Sequence, residues 1–203
     1  MSSFAPQSQL SGLLKSLAFK GVPRFQVPRH YREWLFDPGS LTKRLVQLSH
    51  GNFRVQVLRQ YHGNMMVDEQ IALDAGHRTL PFIREVLLLC HGEPWVFART
   101  IIPRATEAGP GRYLTRLGSK PLGVALFNDP DIRRGEIFVK HVPASTLNQV
   151  AGTEIAIHFN APVWGRYSRF YLATHPLLVS EYFLPNCPMY QARPTELDHA
   201  QGC

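Results

Sequence analysis

The chain has 203 residues, of which 44% are apolar, so it can form one domain with a substantial core but not two full ones. A net charge of +7 indicates an anionic partner, and the absence of any run of five Lys or Arg residues favours a small anion over nucleic acid or a membrane surface. Three cysteines without a CxxC pair, no secretory leader and no stretch of 18 apolar residues predict reduced thiols, no membrane span and a cytoplasmic location.

The N-terminal part of the sequence predicts a loose end followed by two helices. A weakly amphipathic segment, 10–17, leads into a connector rich in Pro and Gly, so we expect residues 1–25 to be loosely held. A first helix is predicted around 30–36. A second is predicted over 41–48, with Ser40 as N-cap and an apolar face that includes Leu41.

The middle of the chain predicts strands and two short helices. Alternating apolar residues indicate a strand from Asn52, and PFIREVLLLC and WVFARTIIP then predict a β-hairpin around a four-residue loop, HGEP, at 91–94. A short helix is predicted over 112–117, ended by Gly118, and another begins after Pro121.

The last third predicts two further elements and a second hairpin. GEIFVKHV, a helical candidate ASTLNQVAG and IAIHF precede WGRYSRFYLAT and PLLVSEYFLP, with a turn at His175 and Pro176. Residues 191–203 are polar, and we expect a disordered tail. Strands that follow one another through tight turns, with helices between the hairpins, predict a single antiparallel α+β domain over 26–190.

One predicted strand, PFIREVLLLC, carries two charges that cannot pair with each other. Arg84 shares a face with Val86, Leu88 and Cys90, whereas Glu85 lies on the opposite face, because successive side chains of a strand alternate. An unpaired guanidinium on an apolar face costs several kcal/mol, so Arg84 requires an anionic partner from the chain or from a ligand.

The last predicted strand repeats this pattern with the opposite charge. Glu181 shares its face with Leu177, Val179 and Phe183. Two interpretations stay open at this point: a structural ion pair between Arg84 and Glu181, or a pocket for a ligand with one anionic end and one hydroxyl end. For Arg166 and Arg169, on opposite faces of the preceding strand, we expect solvated positions.

Motifs for metal and nucleotide chemistry are absent from the sequence. The nine histidines form no HExxH or HxH, and neither GxSxG, GxGxxG nor a P-loop occurs. The sequence therefore predicts no metal site and no cofactor.

Several segments together resemble the bacterial chorismate pyruvate-lyase family. They are IREVLLLCHGEPWVFARTIIP, LGSKPLGVALF, WGRYSRF, PLLVSEYFLPNCPMY and, nearer the start, SLTKR, and they follow the family order from about residue 35 to 190. One departure is a longer stretch between Phe127 and Trp164. Another is Leu41, where the family often has Met, and a backbone contact tolerates that change.

The resemblance implies an α+β domain with an antiparallel sheet and a ligand enclosed beneath two helical flaps. It implies conversion of chorismate to 4-hydroxybenzoate and pyruvate, the committed step into ubiquinone, without a cofactor. In this family pattern Arg84 binds the ring carboxylate and Glu181 contacts the 4-hydroxyl, and these two are the expected catalytic residues. The backbone N–H groups of Leu41 and Leu122 also hold the ring carboxylate. The partners expected are the substrate chorismate and its aromatic product, without nucleic acid, and we expect a monomer.

Two alternatives compete with the lyase interpretation. The first is a small-ligand-binding domain without catalysis, because the effector-sensing domains of one family of bacterial transcription regulators resemble this lyase in fold. Those regulators carry a winged-helix domain in front, and only about 30 residues precede the matched region here. The second is a basic nucleic-acid-binding module, which requires clustered Lys and Arg rather than the dispersed charge of this chain.

Overall fold

The computed structural model describes residues 21–76, 80–151 and 159–191. Its six strands are β1 (Phe53–His62), β2 (Phe82–Cys90), β3 (Glu93–Ile102), β4 (Ile132–Val142), β5 (Val163–Leu172) and β6 (His175–Phe183). Its α-helices are α1 (Arg29–Leu35), α2 (Leu41–Leu48), α3 (Val67–Leu73), α4 (Arg104–Ala108), α5 (Leu122–Asn128) and α6 (Ala144–Ala151). Three 3₁₀ turns cover Arg24–Gln26, Arg112–Arg116 and Pro188–Tyr190.

The six strands form one antiparallel sheet in the order β1-β2-β3-β6-β5-β4. The first three strands and the last three are therefore two consecutive meanders, and β3 and β6 join them along a central seam. This arrangement confirms the predicted single α+β domain with an antiparallel sheet.

The alternation predicted along β2 matches the packing on the two faces of the sheet. Val86, Leu88 and Cys90 pack in one cluster with residues of α1 and α2. Ile83, Leu87 and Leu89 pack in another cluster with residues of α3 and α6. Adjacent residues Arg84 and Glu85 are both buried, on opposite sides of the sheet.

Both predicted hairpins form, but one turn is shorter than expected and the other lies two residues earlier. The β2–β3 loop contains two residues rather than four, because His91 and Gly92 both take positive φ angles, 53° and 85°, and Cys90 pairs directly with Glu93. The β5–β6 turn lies at Ala173 and Thr174, not at 175–176. Leu172 pairs with His175, so His175 and Pro176 already belong to β6.

Some predictions fall mainly outside the described residues. These are the segment 10–17, most of IAIHF at 155–159 and the tail at 191–203. Part of the segment predicted to be loose is described: the N–H of Val22 donates to the carbonyl of Val139 at 2.7 Å. In the described part of the chain, no helix has the length and apolar character to cross a membrane. Cys90 and Cys187 are buried free thiols.

Candidate active site

A cavity lies between one face of the sheet and the N-terminal ends of α2 and α5. The space between these elements, including the part open to solvent, is about 530 Å³. Its polar lining groups come from Thr42, Arg84, Thr100, Arg134 and Glu181. The rest of the lining is mainly apolar: Leu41, Val55, Val86, Leu88, Ala98, Leu122, Gly123, Leu126, Phe127, Phe170 and Val179.

Arg84 enters this cavity from the middle of β2, and no carboxylate of residues 21–76, 80–151 or 159–191 pairs with it. Its side chain is 2% exposed, and one terminal nitrogen, Nη2, donates to the carbonyls of Gly118 and Lys120 at 2.9 and 3.2 Å. Its Nε is buried and has no hydrogen-bond partner among the described residues. Desolvation lowers the pKa of Arg84 to about 10, so the guanidinium is charged at neutral pH and its burial is uncompensated.

Glu181 pairs with Arg166 and not with Arg84. The two residues lie opposite each other on β6 and β5, and Nε of Arg166 donates to Oε2 of Glu181 at 2.5 Å. The expectation of a solvated Arg166 is therefore wrong: its side chain is 1% exposed, and Nη1 donates to the carbonyls of Trp34 and Asp37 at 2.9 Å each. The structure thus shows an Arg166–Glu181 pair in place of the Arg84–Glu181 pair, and Arg84 has no carboxylate partner among the described residues.

Arg134 is a second guanidinium in the cavity lining that the sequence interpretation missed. Its Nε donates to the hydroxyl of Ser168 at 3.0 Å, and its Nη1 donates to the three carbonyls of residues 37–39 at 3.1–3.3 Å. Its Nη2 lies 3.9 Å from Oε2 of Glu181. Desolvation lowers the pKa of Arg134 to about 10, although Glu181 acts in the opposite direction.

The two predicted flap positions, Leu41 and Leu122, are the first residues of α2 and α5, and both line the cavity. The N–H of a first helical residue has no acceptor within its own helix, so both positions offer backbone donors. The helix ends meet closely at Gly123, where a Cβ atom would lie 2.6 Å from Oγ1 of Thr42. A glycine is therefore needed for the two helices to close over the cavity.

The opposite face of the sheet contains a different set of buried charges. Arg99 donates from Nε to Glu69 at 2.7 Å and from Nη1 to Glu85, and Nε of Arg59 donates to Glu85 at 2.7 Å. Tyr61 donates its hydroxyl to Glu85 at 3.3 Å. The carboxylates raise the pKa of Arg99 above its ordinary value despite burial. Each charged group of this network therefore has a partner of opposite charge within the chain.

The structure brings together all four residues predicted for the site, Leu41, Arg84, Leu122 and Glu181, around one cavity. It adds Arg134 and Arg166. The sequence did not point to them, because alternation along β4 and β5 predicts which face of the sheet a side chain lies on. It does not predict which residue lies opposite on the neighbouring strand. No group of three His, Cys, Asp or Glu side chains suited to a metal ion occurs within the residues that the structure describes.

Comparison with known proteins places these features in a family. A family model for chorismate lyase matches residues 19–194. A "Probable chorismate pyruvate-lyase" of Thiobacillus denitrificans is 40% identical over 161 residues, which are 79% of this chain and 86% of that protein. One of Azoarcus sp. (strain BH72) is 42% identical over 163 residues, which are 77% of this chain and 85% of that protein.

A solved structure shares the fold at much lower sequence identity. It is the C-terminal domain of the histidine utilization repressor from Pseudomonas syringae pv. tomato, with a TM-score of 0.51 and 12% identity over 70% of this chain and 96% of that one. The similarity supports the α+β architecture and carries no information about chemistry.

Proposed function

Because this chain belongs to the chorismate lyase family, we propose that it converts chorismate to 4-hydroxybenzoate and pyruvate, the committed step into ubiquinone. The observation that carries the proposal is a buried guanidinium, Arg84, which has no carboxylate partner among the described residues and faces a cavity that also contains Glu181. A ring with a carboxylate at one end and a hydroxyl at the other fits this pair of groups.

The carboxylate end of the ring belongs at Arg84. The planar guanidinium offers Nε to one carboxylate oxygen, and the N–H groups of Leu41 and Leu122 donate from the flap side. Since the surrounding wall is largely apolar, these charge-assisted hydrogen bonds form with little competition from water. Together they orient the ring before reaction.

The hydroxyl end of the ring belongs at Glu181. The ion pair with Arg166 fixes Oε2 of the carboxylate, so Oε1 is the oxygen that accepts the hydrogen of the ligand's hydroxyl. This fixed orientation holds one conformer of the substrate, which is the main contribution that a protein makes to an intramolecular elimination.

The reaction breaks the bond between C3 and the ether oxygen and removes the hydrogen from C4, and aromatisation of the ring drives it. Two routes fit the site. In one, Glu181 accepts the proton from the ring, and the departing enolpyruvate takes up a proton to become pyruvate. In the other, the hydrogen passes directly from C4 to the methylene carbon of the enolpyruvyl group, and Glu181 only orients the hydroxyl. Both routes balance without an external oxidant or reductant.

The experiment is to mix the pure protein with chorismate and to follow pyruvate and the aromatic acid together. Equal amounts of pyruvate and 4-hydroxybenzoate are expected, with chromatography separating the 3- and 4-hydroxy isomers. Formation of 3-hydroxybenzoate would contradict the proposed product. Tight binding of the aromatic acid without any pyruvate would support the alternative, a ligand-binding domain without catalysis.

A further inference from the structure

Chorismate carries two carboxylates, and Arg84 accounts for the binding of one of them. Three buried or nearly buried guanidinium groups, those of Arg84, Arg134 and Arg166, and one carboxylate, Glu181, lie in or directly behind the cavity. Among the residues that the structure describes, these charges leave an excess of two positive charges. A ring carboxylate at Arg84 would meet one of them, and a second anionic group would neutralise the site.

Of the other two arginines, Arg134 is the one placed to meet that group. Arg166 does not line the cavity, and its Nε and Nη1 are already bound to Glu181 and to backbone carbonyls. Arg134 lines the cavity, and its Nε and Nη1 are held by Ser168 and by the connector 37–39. Within the described part of the chain, its Nη2 makes one long contact, 3.9 Å, with Glu181.

The position of Arg134 also matches the shape of the substrate. In chorismate the enolpyruvyl ether is on C3, next to the C4 hydroxyl and meta to the ring carboxylate. A group adjacent to the hydroxyl must lie close to Glu181, and Arg134 is the cationic residue of the cavity lining that contacts Glu181. The guanidinium also lies over the rings of Phe127 and Phe170, at 5.8 and 5.4 Å from their centres, so packing fixes its plane.

We propose that Arg134 binds the second carboxylate of the substrate, the one on the three-carbon side chain that leaves as pyruvate, through its Nη2. This assignment rests on the proposed function and extends it. Arg84 then binds the ring carboxylate, which substrate and product share. Arg134 binds the side-chain carboxylate, which only the substrate carries.

The test compares two ligands that differ in the second carboxylate. The first is 4-hydroxybenzoate, and the second is 3-(carboxymethoxy)-4-hydroxybenzoate, an aromatic analogue that cannot undergo the elimination. For Arg134→Gln, calorimetry should show a loss of affinity on the order of 10- to 100-fold for the dicarboxylate, from one charge-assisted contact. Affinity for 4-hydroxybenzoate should change by no more than about threefold, since it makes no direct contact with Arg134.

Arg134→Lys and a matched control complete the design. Lysine keeps the charge without the planar fork, so it should recover part of the dicarboxylate affinity. The control is Arg133→Gln, the same change at an exposed neighbour on β4, and it should leave both affinities at their wild-type values. An equal loss for both ligands in the two Arg134 variants would overturn the proposal, because Arg134 would then maintain the shape of the cavity only.

This outcome is independent of whether the wild-type protein is a lyase. If it produces no pyruvate from chorismate but Arg134→Gln selectively loses the dicarboxylate, the subsite stands and the proposed reaction fails. If pyruvate is produced and the two ligands respond alike, the reaction stands and the subsite fails.

Discussion

Each face of the sheet buries an arginine, and the two arginines differ in whether a carboxylate balances their charge. Arg99, 3% exposed, is surrounded by Glu69 and Glu85, and its pKa is raised. Arg84, 2% exposed, has only backbone carbonyls as partners among the described residues, and its pKa is lowered. The network formed by Arg59, Arg99, Glu69 and Glu85 has no net charge, whereas the described residues of the cavity face have two positive charges without a counter-charge. Burial alone therefore does not single out a candidate binding residue, but burial without a counter-charge does.

The largest effect on stability is expected on the balanced face. Arg99→Met should lower the free energy of unfolding by about 3 to 5 kcal/mol, because it leaves Glu69 and Glu85 buried without their shared cation. Urea denaturation measures this change, and the protein that remains folded should bind 4-hydroxybenzoate normally. Unchanged stability would break the comparison, since Arg99 would then be as dispensable to the fold as Arg84.

On the cavity face, substitution of the buried arginine should reduce activity and leave stability largely unchanged. Arg84→Lys should reduce kcat/KM for chorismate on the order of 10- to 1000-fold, because lysine keeps the charge but lacks a rigid planar group that can hold the carbonyls of Gly118 and Lys120 with one nitrogen and offer another to a carboxylate. Thermal unfolding should show little change or a gain, since Arg84 has no ion pair with any residue that the structure describes. Wild-type kinetics in this variant would remove Arg84 from the site.

Glu181→Gln probes the far end of the same cavity and should have a smaller effect. Glutamine can still accept a hydrogen bond, but it carries no charge, so turnover should fall by about 10-fold or more while the affinity for 4-hydroxybenzoate changes less. The matched control is Glu136→Gln, an exposed carboxylate on β4. If turnover equals that of the control, Glu181 has only a structural role, as the ion-pair partner of Arg166.

The smallest effect is expected at the flaps, which cover the cavity face only. Gly123→Ala places a methyl group 2.6 Å from Oγ1 of Thr42 and should separate the helix ends, weakening binding of 4-hydroxybenzoate by about 5- to 10-fold. Adding Thr42→Ala should restore part of the affinity, which a double-mutant cycle measures. Gly76→Ala is the control, since its methyl group meets nothing within 4 Å. Additive effects in the cycle would mean that the flaps do not touch through this pair.

Local sequence signals predicted most elements of the fold. Ser40 accepts from the N–H of Lys43 and begins α2 where expected. Gly118, with a positive φ of 54°, follows the turn at 112–116, and Pro121 directly precedes α5, both as expected. The turns were misplaced because His91 and Ala173 take positive φ angles that the sequence does not signal, as such angles are typical of glycine.

The misplaced turn also explains why the pairing of Glu181 was missed. A turn at 175–176 would set Glu181 opposite Phe170, whereas the observed turn at 173–174 sets it opposite Arg166. Arg134 could not be found locally at all, because its contacts come from residues 37–39 and Ser168, far away in the sequence. The residue types at the site were thus predictable, but their partners depend on the register of the sheet.

The seam between β3 and β6 has a consequence for how the protein acquires its site during folding. Each three-stranded meander closes through contacts between neighbouring segments, and the seam pairs residues about 80 positions apart, such as Ala98 with Glu181. Arg84 belongs to one meander, and Glu181, Arg166 and Arg134 belong to the other, so neither half contains a ligand site. A two-residue slip along the seam would keep every apolar side chain on its proper face, yet it would displace Glu181 from Arg84 by about 7 Å. Ligand binding therefore reports that the seam has paired in the correct register, and it distinguishes this register from a compact, well-packed but inactive one.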